Sequence, residues 1–255
     1  MISAGIELIV FENRERTDLD GVLSDCKEAG YDSVETGVLF DIYSPERMKE
    51  SLAKYSLQYA APHGGFDNFR DEKYADKVID NTLKAGANFL ICSGVGKGEG
   101  LDGYREAVLV FNNVGRKCRE AGLTFCYHNH ASEFELIDGV KGIDVLGKDT
   151  DPELVKFNVD VGWVHIGGES PSEFIERYKD RVGFYHFKDA ILKGEEIIWA
   201  ELGKGDVPLK EAYETAMKYG PTHIIYEQDR TQIDIKQAIT ESREYLKKLG
   251  MMYRG

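Results

Sequence analysis

Residues 104–130 read YREAVLVFNNVGRKCREAGLTFCYHNH. The first eighteen residues, Tyr104–Ala121, place apolar side chains at the spacing of one helix face. Gly122 follows at the position where a left-handed residue ends a helix. Thr124–His128 is then a short run of aromatic and β-branched character that reads as a strand. Its end turns abruptly polar, at His128-Asn129-His130. Helix, glycine stop, strand and a polar strand end form one unit.

That unit recurs along the chain. Strands are expected near Ser3–Val10, Ser33–Glu35, Gln58–Pro62, Phe89–Ser93, Thr124–His128, Lys156–Asp160, Phe184–Lys188 and Ile224–Glu227. Helices are expected at Leu19–Ala29, Pro45–Tyr55, Glu72–Ala85, Tyr104–Ala121, Pro171–Tyr178, Leu209–Tyr219 and Ile233–Leu249, with a weaker candidate at Gly142–Gly147. The phrase Ala-Gly closes three of them, at Gly30, Gly86 and Gly122, and Gly220-Pro221 closes another. Strands alternating with helices indicate βαβ units and a parallel sheet. Eight units in 255 residues match a (β/α)₈ TIM barrel, with a doubly wound open sheet as the runner-up. No Pro/Gly/Ser-rich linker divides the chain, so residues 1–255 are expected to form one domain.

Composition narrows the function classes. A hydrophobic share of 42 % suits a protein with a sizeable core. No stretch approaches the ~20 apolar residues of a membrane span, and the N-terminus lacks the basic-then-apolar pattern of a signal peptide; a cytoplasmic location is expected. The net charge of −13, without a Lys/Arg cluster, argues against a nucleic-acid partner. Cys26, Cys92, Cys118 and Cys126 show no paired spacing and read as buried thiols.

In either fold, chemistry sits outside the carboxyl ends of the strands. Read in order, those ends carry Glu35, His63, Ser93, His128-Asn129-His130, Asp160, His186-Phe187-Lys188 and Glu227-Gln228-Asp229. Four of the six histidines fall on or just past a strand end, and His165 lies in the next loop after Asp160. Residues i and i+2 of a strand face the same way. His128 with His130, Asn158 with Asp160, and His186 with Lys188 are thus candidates to converge. Imidazoles and carboxylates from four consecutive strands suit one divalent ion, with His128, Asp160, His186 and Glu227 as ligands. Mixed N/O ligation favours Mn²⁺, Zn²⁺, Co²⁺ or Fe²⁺ and suits Mg²⁺ less.

These residues carry a family resemblance over nearly the whole chain. Tyr127-His128-Asn129-His130-Ala-Ser-Glu133-Phe134, Asn158-Val-Asp160-Val-Gly162-Trp163, His186-Phe-Lys188-Asp189, Leu202-Gly203-Lys204-Gly205 and Glu227-Gln228-Asp229 resemble the xylose isomerase-like barrel family of sugar isomerases and epimerases, which includes endonuclease IV. The resemblance implies a metal held after strands five to eight, with Asp160, His186 and Glu227 matching the last three ligands. The first departs: His128 stands where similar epimerases carry a glutamate. That removes one of their two opposed bases, and Glu133 in the following loop is the candidate substitute. The DNA-repair branch fits poorly, because Trp163 replaces a further histidine and no Asp-x-His pair follows His186.

The expected chemistry is a metal-dependent isomerase or epimerase acting through an enediolate on a keto- or aldo-sugar or sugar phosphate. Glu227 is the expected general base, and Lys188 the group that polarises or protonates the oxyanion. Glu35, His63 and His130 are expected to bind substrate, with Trp163 stacking on its ring. Gly203-Lys204-Gly205 reads as a turn before it reads as a phosphate cradle. Two alternatives are carried: a dehydratase or lyase on a keto-sugar or keto-inositol, and a non-catalytic sugar-binding barrel. A homo-oligomer is compatible with the sequence, which does not identify its surface.

Overall fold

The computed structural model describes residues 2–252. Eight parallel strands close into a barrel: β1 (Ser3–Glu7), β2 (Ser33–Gly37), β3 (Gln58–Gly65), β4 (Phe89–Ser93), β5 (Thr124–His128), β6 (Val155–Asp160), β7 (Val182–Phe187) and β8 (His223–Tyr226). Each neighbours the next in sequence, and β8 pairs β1 through Ser3↔His223 to Ile6↔Tyr226. Each strand is followed by a main helix: α1 (Leu19–Ala29), α2 (Pro45–Lys54), α3 (Glu72–Ala85), α4 (Asp102–Ala121), α5 (Gly142–Asp149), α6 (Pro171–Tyr178), α7 (Leu209–Met217) and α8 (Ile235–Leu249). The chain is therefore a (β/α)₈ barrel, and the open-sheet alternative falls. Among the described residues, no helix is long and apolar enough to cross a membrane.

Two apolar layers hold this shell. Inside the barrel, Ala60, Ala61, Ile91, Cys126, Phe184 and Ile225 pack on one another. Space there is tight: a Cβ on Gly5 would come within 2.2 Å of Ile225 Cδ1, and one on Gly183 within 2.4 Å of Cys126 Sγ. Between strands and helices lies the larger layer, including Val22, Leu52, Phe111, Phe157 and Ile239. All four cysteines are buried and reduced, as their spacing suggested. Gly122, at φ 86°, ends α4 as a left-handed residue, its N–H bonding back to Cys118 and Arg119 carbonyls.

Three local expectations are corrected. The strand expected to reach Val10 stops at Glu7, whose carboxylate accepts Ile9 N–H and starts a 3₁₀ turn over Leu8–Phe11. That apolar run is continuous rather than alternating, and Leu8, Val10 and Phe11 bury their side chains from a turn. Strand seven ends at Phe187, so Lys188 lies just beyond it. His165 belongs to a short helix, Val161–Ile166, rather than a loop.

An antiparallel hairpin, Asp189–Lys193 with Glu196–Ala200, follows β7 and sets Trp199 against the Trp163 ring and Lys188. Its root is Asp189, which is fully buried. Asp189 Oδ2 accepts N–H groups of Gly203 (2.8 Å) and Gly205 (3.0 Å), while Oδ1 accepts those of Ala190 (2.9 Å) and Val207 (3.2 Å). The glycine loop is thus a turn wrapped around a carboxylate, its N–H groups already used. Asp189→Ala would strand several buried donors, and is expected to lower unfolding free energy by roughly 2–4 kcal/mol in urea denaturation.

Candidate metal centre

Register brings the polar strand ends to one rim. Ser93 pairs His128 across β4–β5, His128 pairs Asn158 across β5–β6, and Asp160 pairs His186 across β6–β7. Glu227 follows β8 directly and extends its ladder, donating its N–H to the Phe187 carbonyl at 3.0 Å. Ligand-capable atoms of His128, Asp160, His186 and Glu227 all lie within 4.8 Å of one another, and all four residues are buried. The structure brings together the four residues that strand-end position had singled out.

The carboxylate of Asp160 is divided between two tasks. Oδ1 accepts the Trp163 N–H at 2.8 Å and caps the short helix Val161–Ile166. Oδ2 is buried and has no hydrogen-bond partner among the described residues. A divalent cation would satisfy such an orphaned oxygen beside two imidazoles and a second carboxylate. Two carboxylates balance a divalent charge, and the imidazoles supply nitrogen, so the donor set fits a divalent metal.

His186 is the most constrained member. Its Nε2 lies 2.7 Å from Glu35 Oε2, and its Nδ1 contacts Glu227 Oε2. Burial alone would lower its pKa, but Glu35 and Glu227 outweigh that and hold it well above the usual histidine range. Glu227 is likewise kept ionised: burial opposes it, while Lys188 and His186 pull its pKa well below the usual range. Burial instead keeps His128 neutral, the form in which imidazole can bind a metal. Burial and the nearby Glu227 raise Asp160 to about 7.

Glu35 does not face the cavity. It is fully buried, and its second oxygen, Oε1, pairs with His63 Nδ1 at 3.0 Å. It stands behind His186 as a carboxylate partner that fixes the ring, the usual support of a metal-bound histidine. Glu133 also stays out of the four-residue group. Hydroxyls of Tyr127 (2.5 Å) and Ser132 (2.7 Å) occupy its two oxygens. His130 and His63 do line a cavity of about 320 Å³ that opens onto His128 and Glu227.

Lys188 is fully buried and pairs with Glu227 Oε1 (3.0 Å) and Asp229 Oδ2 (2.6 Å). Its Nζ lies 4.8 Å from the Trp163 ring and 4.6 Å from the Trp199 ring, a cation between two indoles. Trp199, on the hairpin after β7, was not anticipated. Two apolar runs around Gly194, Ala190-Ile-Leu and Ile197-Ile-Trp199, carried the signal of that hairpin.

Comparison with known proteins agrees with the barrel fold. The profile of the xylose isomerase-like TIM barrel family matches residues 23–249. An inosose dehydratase of Geobacillus kaustophilus (strain HTA426) is 28 % identical over 195 residues, covering 67 % of this chain and 61 % of that protein. One from Bacillus velezensis (strain DSM 23117 / BGSC 10A6 / LMG 26770 / FZB42) is 26 % identical over 191 residues, covering 68 % of this chain and 63 % of that protein. The chain thus spans less than two thirds of these relatives' length. Among solved structures, a sugar phosphate isomerase/epimerase from Parabacteroides distasonis ATCC 8503 superposes with a TM-score of 0.84 at 20 % identity, covering 100 % of this chain and 96 % of that one. An IOLI protein with a bound zinc atom superposes at 0.76 and 14 % identity, with 99 % of each chain covered. By the extent of the profile match, the chain belongs to the xylose isomerase-like TIM barrel family.

Proposed function

We propose that the protein is a metal-dependent isomerase of a small keto- or aldo-sugar, free or phosphorylated, that works through an enediolate with a single carboxylate base. The observation that carries this reading is Glu227: a buried carboxylate held ionised within the four-residue metal group, at the mouth of a sugar-sized cavity. His128, Asp160, His186 and Glu227 would hold the ion. Such an ion polarises a carbonyl and stabilises negative charge on its oxygen.

The chain's own residues prepare the rest. Glu227 accepts the proton from the carbon beside the carbonyl and returns it to the neighbouring carbon on the same face. Lys188 holds Glu227 Oε1 and fixes the carboxylate's orientation. Glu35 orients His186 through Nε2, leaving Nδ1 toward the centre. His130, half-exposed beside His128 with ring centroids 4.8 Å apart, is available to bind a substrate hydroxyl. With His128 in place of a second glutamate, this centre has one ionised base rather than two on opposite faces, which favours one-face proton transfer over two-base epimerisation.

A second reading, dehydration of a keto-polyol, is favoured by the sequence relatives that are inosose dehydratases. It shares the first step, since the same proton abstraction followed by loss of a β-hydroxyl expels water. Reaction in deuterium oxide separates the two. Isomerisation places solvent deuterium in product of unchanged mass formula, whereas elimination yields a product lighter by one water.

Two outcomes are expected from substitution. His186→Ala or Glu227→Ala should abolish binding of about one divalent ion per chain, read by elemental analysis after Mn²⁺ reconstitution, with the circular dichroism spectrum retained. An unmutated protein that takes up no ion would sink the metalloenzyme reading. Glu227→Gln should lower kcat by roughly 10²–10⁴-fold, the usual contribution of general base catalysis.

A further inference from the structure

The cavity continues from the metal group across the mouth toward β1 and β2. Its volume of about 320 Å³ lies at the small end of the ~300–1,000 Å³ typical of ligand pockets. Its wall carries Glu7, Glu15, Glu227 and Asp229 and, among the described residues, no lysine or arginine. Three of these carboxylates are engaged: Glu227 and Asp229 by Lys188, and Glu7 by the Ile9 N–H at 2.7 Å.

Glu15 is the exception. It is only 7 % exposed, yet its Oε2 is buried with no hydrogen-bond partner among the described residues. It sits in the turn Arg14–Arg16, directly after Glu12 (φ 55°) and Asn13 (φ 70°). Two successive non-glycine residues in the left-handed region are costly and persist only where surrounding structure enforces them. The Tyr43 hydroxyl supplies part of that enforcement, donating to the Glu15 carbonyl at 3.1 Å. Burial also pushes the Glu15 carboxyl above its usual range.

A second acceptor faces the same space. The Glu35 carboxylate can only accept, and it faces a ring nitrogen with each oxygen, His63 Nδ1 with one and His186 Nε2 with the other. His63 Nδ1, 3.0 Å from that carboxylate, therefore carries the ring hydrogen. His63 Nε2 is then a bare acceptor, and it too is buried without a partner among the described residues.

We propose that Glu15 and His63 select an uncharged polyhydroxy ligand, whose hydroxyls donate to Glu15 Oε2 and His63 Nε2, and that this wall rejects phosphate esters and sugar acids. The inference rests on the proposed function only in taking this cavity as the substrate site. An acceptor wall needs a ligand that brings hydrogens, and a polyol brings one with every oxygen. An ionised phosphate or carboxylate group offers acceptors alone, and would leave Glu15 Oε2 and His63 Nε2 without a donor in a partly desolvated cleft.

Ligand-observed NMR titration of the purified protein tests this, using D-fructose, myo-inositol and D-fructose 6-phosphate as probes. At least one uncharged probe should bind tenfold or more tightly than the phosphate ester. Glu15→Gln, which keeps shape and removes the carboxylate acceptor, should weaken that binding about tenfold without lowering the ligand-free melting temperature. Glu15→Lys should raise affinity for the phosphate ester relative to the uncharged probe. Preference for the phosphate ester by the unmutated protein, unchanged affinity in Glu15→Gln, or no binding of either uncharged probe would overturn the proposal. Binding rather than turnover is read, so absence of deuterium exchange would refute the catalytic reading while leaving this comparison intact.

Discussion

One imidazole wedged between two buried carboxylates sets the arrangement of the mouth. Glu35 reaches His186 across the barrel from β2, and Glu227 reaches it from the end of β8, the strand beside β7. Carboxylates removed from water are unstable without compensation. Here His186 and Lys188 supply it, and both come from the same three-residue stretch, His186-Phe187-Lys188. Charge balance, rather than packing alone, thus fixes where the ends of β2, β7 and β8 meet. Taking away one member leaves an uncompensated charge in the interior, so the group holds together as a set.

That balance links the fold to its chemistry. Closing the barrel through β1–β8 pairing is what lets strand ends separated by nearly 200 residues share one centre. The β6 register shift between Phe157 and Asn158 brings Asp160 level with His186. Asn158 then lies between the two histidines, its amide 2.9 Å from His186 Nε2 and 3.4 Å from His128 Nδ1. The centre is shaped by backbone registry first and by side-chain choice second.

Much of this was legible from the residues in order. Strand ends carry alternating apolar and polar positions, and glycines close the helices, so the eightfold rhythm and the four rim residues could be read without contacts. Other features depend on side-chain contacts that residue order does not show. Glu35 looks like any strand-end carboxylate until His63 and His186 are found on either side. Glu133 resembles a spare ligand until Tyr127 and Ser132 occupy both its oxygens. Glu15 lay unnoticed because Ser3–Val10 reads as strand, whereas Glu7 turns the backbone early and directs the next residues over the cavity. Asp189 reads as part of a catalytic motif, but the backbone it gathers belongs to residues 203–207. For Glu35 and Asp189 the deciding partner lies across the barrel or in another loop, where local pattern carries no information.

The cation enclosed by indoles has an optical corollary. The chain contains two tryptophans, Trp163 and Trp199, and both stand at this rim with ring centroids 4.9 Å apart. All of the protein's indole emission therefore originates from one spot, against the lysine that grips Glu227. Whatever alters charge or solvent access at that carboxylate is next to the only two indoles in the molecule, and the unlabelled protein carries its own gauge of events at the barrel mouth.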